Sequence, residues 1–213
     1  MPGVAGSTLR LHVVTDDDML AREDFLRVAS ALLEAGSEAL ALHVRGPRTS
    51  GRRIHEIAGM LAPAAEASRA MLMVNDRVDV ALAIESVGVH LGRRSLPLDV
   101  VRGLLGPERL VGVSCHSVES VRDAVSSGAT YVLAGHIFET PSHPGEQGRG
   151  VGWLADAVAA AGETPVAAIG GVRRKDLAAI RATGALGVAL LRGVWNSPDP
   201  AMAAVEYIHG LNV

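Results

Sequence analysis

Short apolar runs and longer stretches of helical period alternate along the whole chain. The runs are Leu9–Val14, Ala39–Val44, Met71–Val74, Gly88–Leu91, Leu110–Ser114, Tyr131–Ala134, Pro165–Ile169 and Gly187–Leu190. They are rich in Val, Leu and Ile and scarcely interrupted by polar residues. That is the pattern of parallel strands covered on both faces by helices. Between them, apolar residues recur at helical spacing over Arg22–Ala35, Ile54–Ala67, Leu98–Leu104, Ser117–Ser126, Val151–Ala161, Arg174–Ala182 and Pro200–Leu211. Val78–Ile84 is a shorter stretch of the same kind. Eight strand–helix units of roughly 25 residues predict one α/β domain, a (β/α)₈ TIM barrel, over residues 9–213. A doubly wound open sheet is the rival. The missing Gly-rich turn after the first strand and the presence of an eighth unit count against it.

Composition narrows the setting. A chain of 213 residues that is 48% hydrophobic fits one compact domain with a large core. A net charge of −3 offers no electrostatic reason to expect nucleic acid or an acidic membrane as partner. No apolar run reaches the roughly 18–20 residues that span a bilayer. The single cysteine, Cys115, cannot form an internal disulfide, which fits a cytoplasmic location. Met1–Thr8 is small and Gly-rich and reads as a disordered lead rather than a signal peptide.

In a barrel the residues just past each strand converge on one face, so chemistry is sought there. Asp16 and Ser117 stand where helix caps belong. Gly170 and Gly171 differ, because two glycines after a buried strand let backbone approach a ligand and aim its amides outward. The loops after strands seven and eight, with a short extra helix, commonly hold phosphate in this fold. Leu191 and Arg192 open such a segment, and Arg192 adds a cation.

Four histidines, His43, His90, His116 and His136, lie near strand ends. None pairs at the i, i+4 spacing of a zinc helix, so no metal site is expected. His136 follows a glycine at the end of a buried strand inside a long loop. Imidazole can take and return a proton near neutrality, which makes His136 the candidate acid/base. The loop Glu139–Gly150 is long for this connection and carries two prolines, as a lid does. Arg149 within it reads either as a carboxylate partner or as a solvated surface charge. Cys115 reads as a buried structural thiol, since neighbours on a strand face opposite ways.

At these residues the chain resembles the thiamine-phosphate synthase superfamily, from Leu11-His12-Val13-Val14-Thr15-Asp16 to Gly187-Val188-Ala189. The motifs are Val74-Asn75-Asp76-Arg77-Val78-Asp79, Gly88-Val89-His90-Leu91-Gly92, Gly112-Val113-Ser114-Cys115-His116-Ser117 and Ala168-Ile169-Gly170-Gly171-Val172. The synthase branch joins a pyrimidine diphosphate to a thiazole phosphate with Mg²⁺. Its pattern has Gln-Leu-Arg-x-Lys where this chain has His43-Val44-Arg45-Gly46-Pro47. It has a magnesium Asp where this chain has Arg93-Arg94-Ser95, and a Lys where this chain has His143. The TenI-like thiazole tautomerase branch carries Gly-His-[Val/Ile]-Phe-Glu-Thr and Gly-Arg-Gly-Val. Gly135-His136-Ile137-Phe138-Glu139-Thr140 and Gly148-Arg149-Gly150-Val151 match them. Arg192 departs from the Ser common there.

The resemblance implies a thiazole tautomerase that aromatises a carboxythiazole phosphate in thiamine biosynthesis, without cofactor or metal. His136 would shuttle the proton. Gly170, Gly171, Leu191 and Arg192 would hold the phosphate, Arg45 would orient the carboxylate or ring, and Asn75, Ser114, His116 and Thr140 would line the pocket. The superfamily further implies a homodimer. The alternatives are a Mg²⁺-dependent synthase, a non-catalytic binder of thiazole or thiamine phosphate, and an enzyme for another phosphorylated heterocycle.

Overall fold

A computed structural model describes residues 8–142 and 144–212. Residues 1–7 of the expected disordered lead, and His143, lie outside the described residues. Eight parallel strands close in sequential order into one barrel. They are β1 (Leu11–Val14), β2 (Leu40–Val44), β3 (Met71–Asn75), β4 (Val87–Leu91), β5 (Val111–Cys115), β6 (Tyr131–Gly135), β7 (Val166–Ile169) and β8 (Gly187–Leu190). Each matches an expected run to within two residues at either end. Pairing of Leu11 with both Leu40 and Val188 closes the ring.

The helices are α1 (Asp17–Leu20), α2 (Phe25–Gly36), α3 (Gly51–Ser68), α4 (Val78–Ala83), α5 (Leu98–Leu105), α6 (Val118–Ser126), α7 (Gly150–Ala161), α8 (Leu177–Arg181), α9 (Arg192–Trp195) and α10 (Pro200–Asn212). Local chemistry starts several of them. The Asp16 carboxylate accepts from the Met19 amide, and Ser117 and Ser120 form a capping box at α6. Two helical expectations need correction. The first long helix begins at Phe25 rather than Arg22, because Arg22 is drawn out to Asp24 and the Trp195 carbonyl. The stretch from Arg174 divides into a 3₁₀ turn, Arg174–Asp176, and α8. No helix among the described residues is long and apolar enough to cross a membrane.

The apolar residues form two clusters. The larger, with Leu11, Leu42, Val74, Val132 and Leu154, lies between the barrel wall and the helices. Cys115 belongs to it, with its thiol on the Ser120 carbonyl, so the cysteine faces away from the barrel interior as strand alternation requires. The smaller cluster fills the barrel and includes Val14, Ala41, Met73, Leu110, Tyr131 and Leu133. Its small members leave room for long side chains. A Cβ on Gly112 would lie 2.0 Å from Cζ of Tyr131, so the glycine is what admits the phenol ring to the interior.

His43 and His90 occupy that interior. Both were expected near the rim, but each lies inside its strand at an inward position, 0% and 2% exposed. They share the space with His12 and Tyr131.

Candidate active site

A cavity of about 450 Å³ opens at the carboxyl ends of β5 to β8. That volume suits a small phosphorylated ring. Seven of the ten expected site residues line it: His116, His136, Thr140, Gly170, Gly171, Leu191 and Arg192. One wall is the segment just past β6. The Ile137 amide donates to the Ile169 carbonyl (2.9 Å) and the Phe138 amide to the Gly170 carbonyl (3.0 Å). On its other side, the Arg149 amide donates to the His136 carbonyl (3.0 Å). His136 is thus fixed at both neighbours and is 7% exposed.

Gly170 and Gly171 make room for this segment. Both have positive φ, 94° and 69°. A Cβ on Gly170 would lie 2.2 Å from the His136 Cβ, and one on Gly171 would lie 2.3 Å from the Glu139 carbonyl oxygen. Only glycine lets the histidine strap lie against the turn. The amides of Gly170, Gly171, Arg192 and Gly193 donate to no other backbone group among the described residues. They flank the cavity and can accept an anion. The short helix α9 is pinned there by Trp195, whose indole donates to the Val14 carbonyl (2.9 Å) and stacks on Phe25.

Residues 11–194 match the family described as Thiamine monophosphate synthase (TMP-TENI). The chain belongs to that family. The thiamine-phosphate synthase of Roseiflexus castenholzii is 37% identical over 194 residues, 91% of this chain and 84% of that one. That of Acidothermus cellulolyticus is 36% identical over 202 residues, 93% and 92% of the two chains. Among solved structures, thiamine phosphate pyrophosphorylase from Pyrococcus furiosus superposes with a TM-score of 0.83 at 30% identity, covering 97% of this chain and 96% of the other.

Within this family frame, the other three expected residues stand apart from the main cavity. Arg45 and Asn75 line a smaller rim cavity of about 180 Å³ together with Asp76 and Arg77. Ser114 sits at the end of β5, its hydroxyl 2.8 Å from Nε2 of His90. His116 meets the Gly135 carbonyl through Nδ1 at 2.7 Å. It therefore donates there, and steadies the residue before the candidate acid/base. Arg149 caps α7 and lays its guanidinium over Trp153, 5.2 Å from the ring centre. Glu139 lines the same cavity.

Among the lining residues that the sequence did not point to are Arg173 and Tyr207. Arg173 comes two residues after the glycine turn and was legible as its first cation. Tyr207 comes from α10, far from any strand end, and no local signal marks it.

The magnesium that the synthase branch uses does not fit these residues. The carboxylate of Asp76, a residue at φ 64°, accepts from the Gly92 amide (3.1 Å) and from the Ser95 hydroxyl. Ser95 stands in the stretch where that branch has its second Asp. No group of three metal-ligating side chains occurs among the described residues. One carboxylate already tied to a hydroxyl and an amide is a poor octahedral anchor.

Proposed function

We propose that the chain is a thiazole tautomerase, aromatising a carboxythiazole phosphate by a proton shift. The observation that carries this reading is the placement of a buried histidine, His136, against the Gly170-Gly171 turn in one cavity. The phosphate binds the amides of Gly170, Gly171, Arg192 and Gly193, with the Arg192 guanidinium beside it. That anchor fixes the ring within reach of His136. The imidazole removes the proton from the ring carbon bearing the carboxylate and delivers one to the exocyclic alkene carbon. One base serves both carbons because the phosphate holds the ring still between the two steps. No redox chemistry is involved.

A second reading is favoured by the relatives, which are named thiamine-phosphate synthases. It requires a divalent ion to hold a departing diphosphate, and among the described residues Asp76 belongs to no group of three metal-ligating side chains. Two assays separate the readings. NMR of the dihydrothiazole tautomer with the protein reports aromatisation, and incubation with the pyrimidine diphosphate, thiazole phosphate and Mg²⁺ reports thiamine phosphate. Aromatisation without thiamine phosphate is expected. Thiamine phosphate formation, or tight binding with no turnover of the tautomer, refutes the tautomerase.

A further inference from the structure

Three imidazoles and a phenol occupy a barrel interior that is otherwise apolar. They form two hydrogen-bonded chains. In the first, Nδ1 of His12 is 2.9 Å from Nε2 of His43, and Nδ1 of His43 is 3.3 Å from Oδ1 of Asn75. In the second, the Tyr131 hydroxyl is 3.1 Å from Nδ1 of His90, and Nε2 of His90 is 2.8 Å from the Ser114 hydroxyl. Each chain starts deep in the barrel and ends near the carboxyl end of a strand. Burial lowers all three imidazoles, His43 to about 4, and raises the Tyr131 phenol, so every ring is neutral near pH 7.

Neutrality fixes the direction of both chains. A neutral imidazole carries one N–H, and a buried donor left unbonded is costly. His12 makes one hydrogen bond among the described residues, through Nδ1. Its proton therefore sits on Nδ1, and Nε2 of His43 must accept it. The His43 proton then sits on Nδ1 and goes to the Asn75 carbonyl oxygen. The Tyr131 hydroxyl likewise has one partner among the described residues, so it donates to Nδ1 of His90. The His90 proton is left on Nε2 and goes to the Ser114 oxygen. At the rim, Asn75 is left with its NH₂ to give, and Ser114 with its hydroxyl proton.

We propose that His12, His43 and His90 are positioning residues whose two polarised chains make Asn75 and Ser114 hydrogen-bond donors for an anionic oxygen group of the ligand. Arg45, which shares the small rim cavity with Asn75, supplies a cation to the same group. A carboxylate is the chemistry that two donors and a guanidinium recognise. Its assignment to the thiazole carboxylate rests on the function proposed above, whereas the direction of the chains does not.

The direct test is the tautomer of each ring, read by long-range ¹H–¹⁵N NMR of histidine-labelled wild-type protein at pH 7.5. Nδ1–H is expected for His12 and His43, and Nε2–H for His90. Nε2–H on His43, or a charged ring among the three, overturns the proposal. The second test uses two probes, the aromatic carboxythiazole phosphate and the same thiazole phosphate without the carboxylate. His43→Leu should weaken binding of the first about tenfold and leave the second unchanged. His43→Gln should restore it, because the Gln amide can accept from His12 and donate to Asn75. Equal weakening of both probes, or no rescue by Gln, marks His43 as packing only and refutes the role. If wild type binds neither probe, the thiazole reading fails, and the tautomers still decide the direction of the chains.

Discussion

His43 and His90 resemble His116 and His136 in sequence, since all four close runs of buried apolar residues. Their surroundings are opposite. The first pair points into the barrel between neighbouring strands, wholly buried and hydrogen-bonded to other side chains. The second pair stands one residue past β5 and β6, lines the main cavity, and is held by backbone. In a strand alternate residues face inward, so a histidine one place before the last strand residue is roofed by side chains nearer the rim. In this chain the roof is Asn75 and Ser114. In the roles proposed above, the same residue type would serve proton transfer at the rim and orientation in the core, and a short step along the strand separates the two.

The largest expected effect comes from removing the rim histidine. His136→Ala should lower kcat for the tautomer by about 10²–10⁴-fold, the range for a positioned acid/base. Binding of the aromatic product should persist, because the proposed anion cradle is made of backbone amides and Arg192. Unchanged kcat in a stopped-flow or NMR assay would remove His136 from the mechanism and collapse the contrast between the two pairs.

The barrel was legible because parallel strands buried on both faces leave long apolar runs, and eight of them fill the chain. Gly170-Gly171 was legible as a candidate anion turn because two glycines follow a buried strand, and the structure adds that only glycine fits at either position. The second reason for those glycines, the packing of the His136 strap against them, was not legible. It depends on a contact between loops 34 residues apart in the chain (170 against 136). Arg45, Asn75 and Ser114 were assigned to the pocket by the family resemblance, and the structure sets them beside a second, smaller cavity or on the core chain. The histidine core itself escaped the sequence reading. His12 lies in the middle of an apolar run, and Tyr131 at the start of another. Nothing local shows that β1, β2, β4 and β6 aim these rings at one another.

A second test acts on the core histidines through pH. An unfolded imidazole titrates near 6.5. Burial lowers His12 and His43, and His90 is lowered by burial and then by His43, His12 and Arg45. Below pH 6.5 the unfolded chain therefore binds protons that the folded chain does not. The stability contributed by these rings is complete above that pH and declines as pH falls towards 4, where His43 titrates in the fold. At about 1.4 kcal/mol per pH unit, His43 alone removes roughly 3 kcal/mol across the window. Urea unfolding from pH 7.5 down to 4.5 should show the midpoint falling below 6.5. A flat profile would mean that the core rings carry charge or meet water.

Two glycines sharpen the same contrast at smaller cost. Gly112→Ala forces the Tyr131 ring aside and should destabilise the fold by about 1–3 kcal/mol, as overpacking does. Gly170→Ala pushes on His136 from a backbone at φ 94° and should depress turnover more than thermal stability. Differential scanning calorimetry beside the turnover assay separates them. If both variants lose stability and activity in the same ratio, core and rim are one unit and the distinction fails.

The smallest expected effect tests the edge of the rim. Arg149 offers two things, an amide that holds the His136 carbonyl and an exposed guanidinium lying over Trp153. Only the amide bears on the candidate base, and every residue but proline supplies it. Arg149→Ala should therefore lose an exposed cation–π contact of about 0.5–1 kcal/mol and keep kcat and KM within about twofold. A guanidinium that left Trp153 to pair with the substrate carboxylate would instead raise KM about tenfold on truncation, the scale of a charged hydrogen bond. That outcome would move carboxylate recognition from Arg45 and Asn75 to the β6 loop, and the core histidines would then have no ligand group to position.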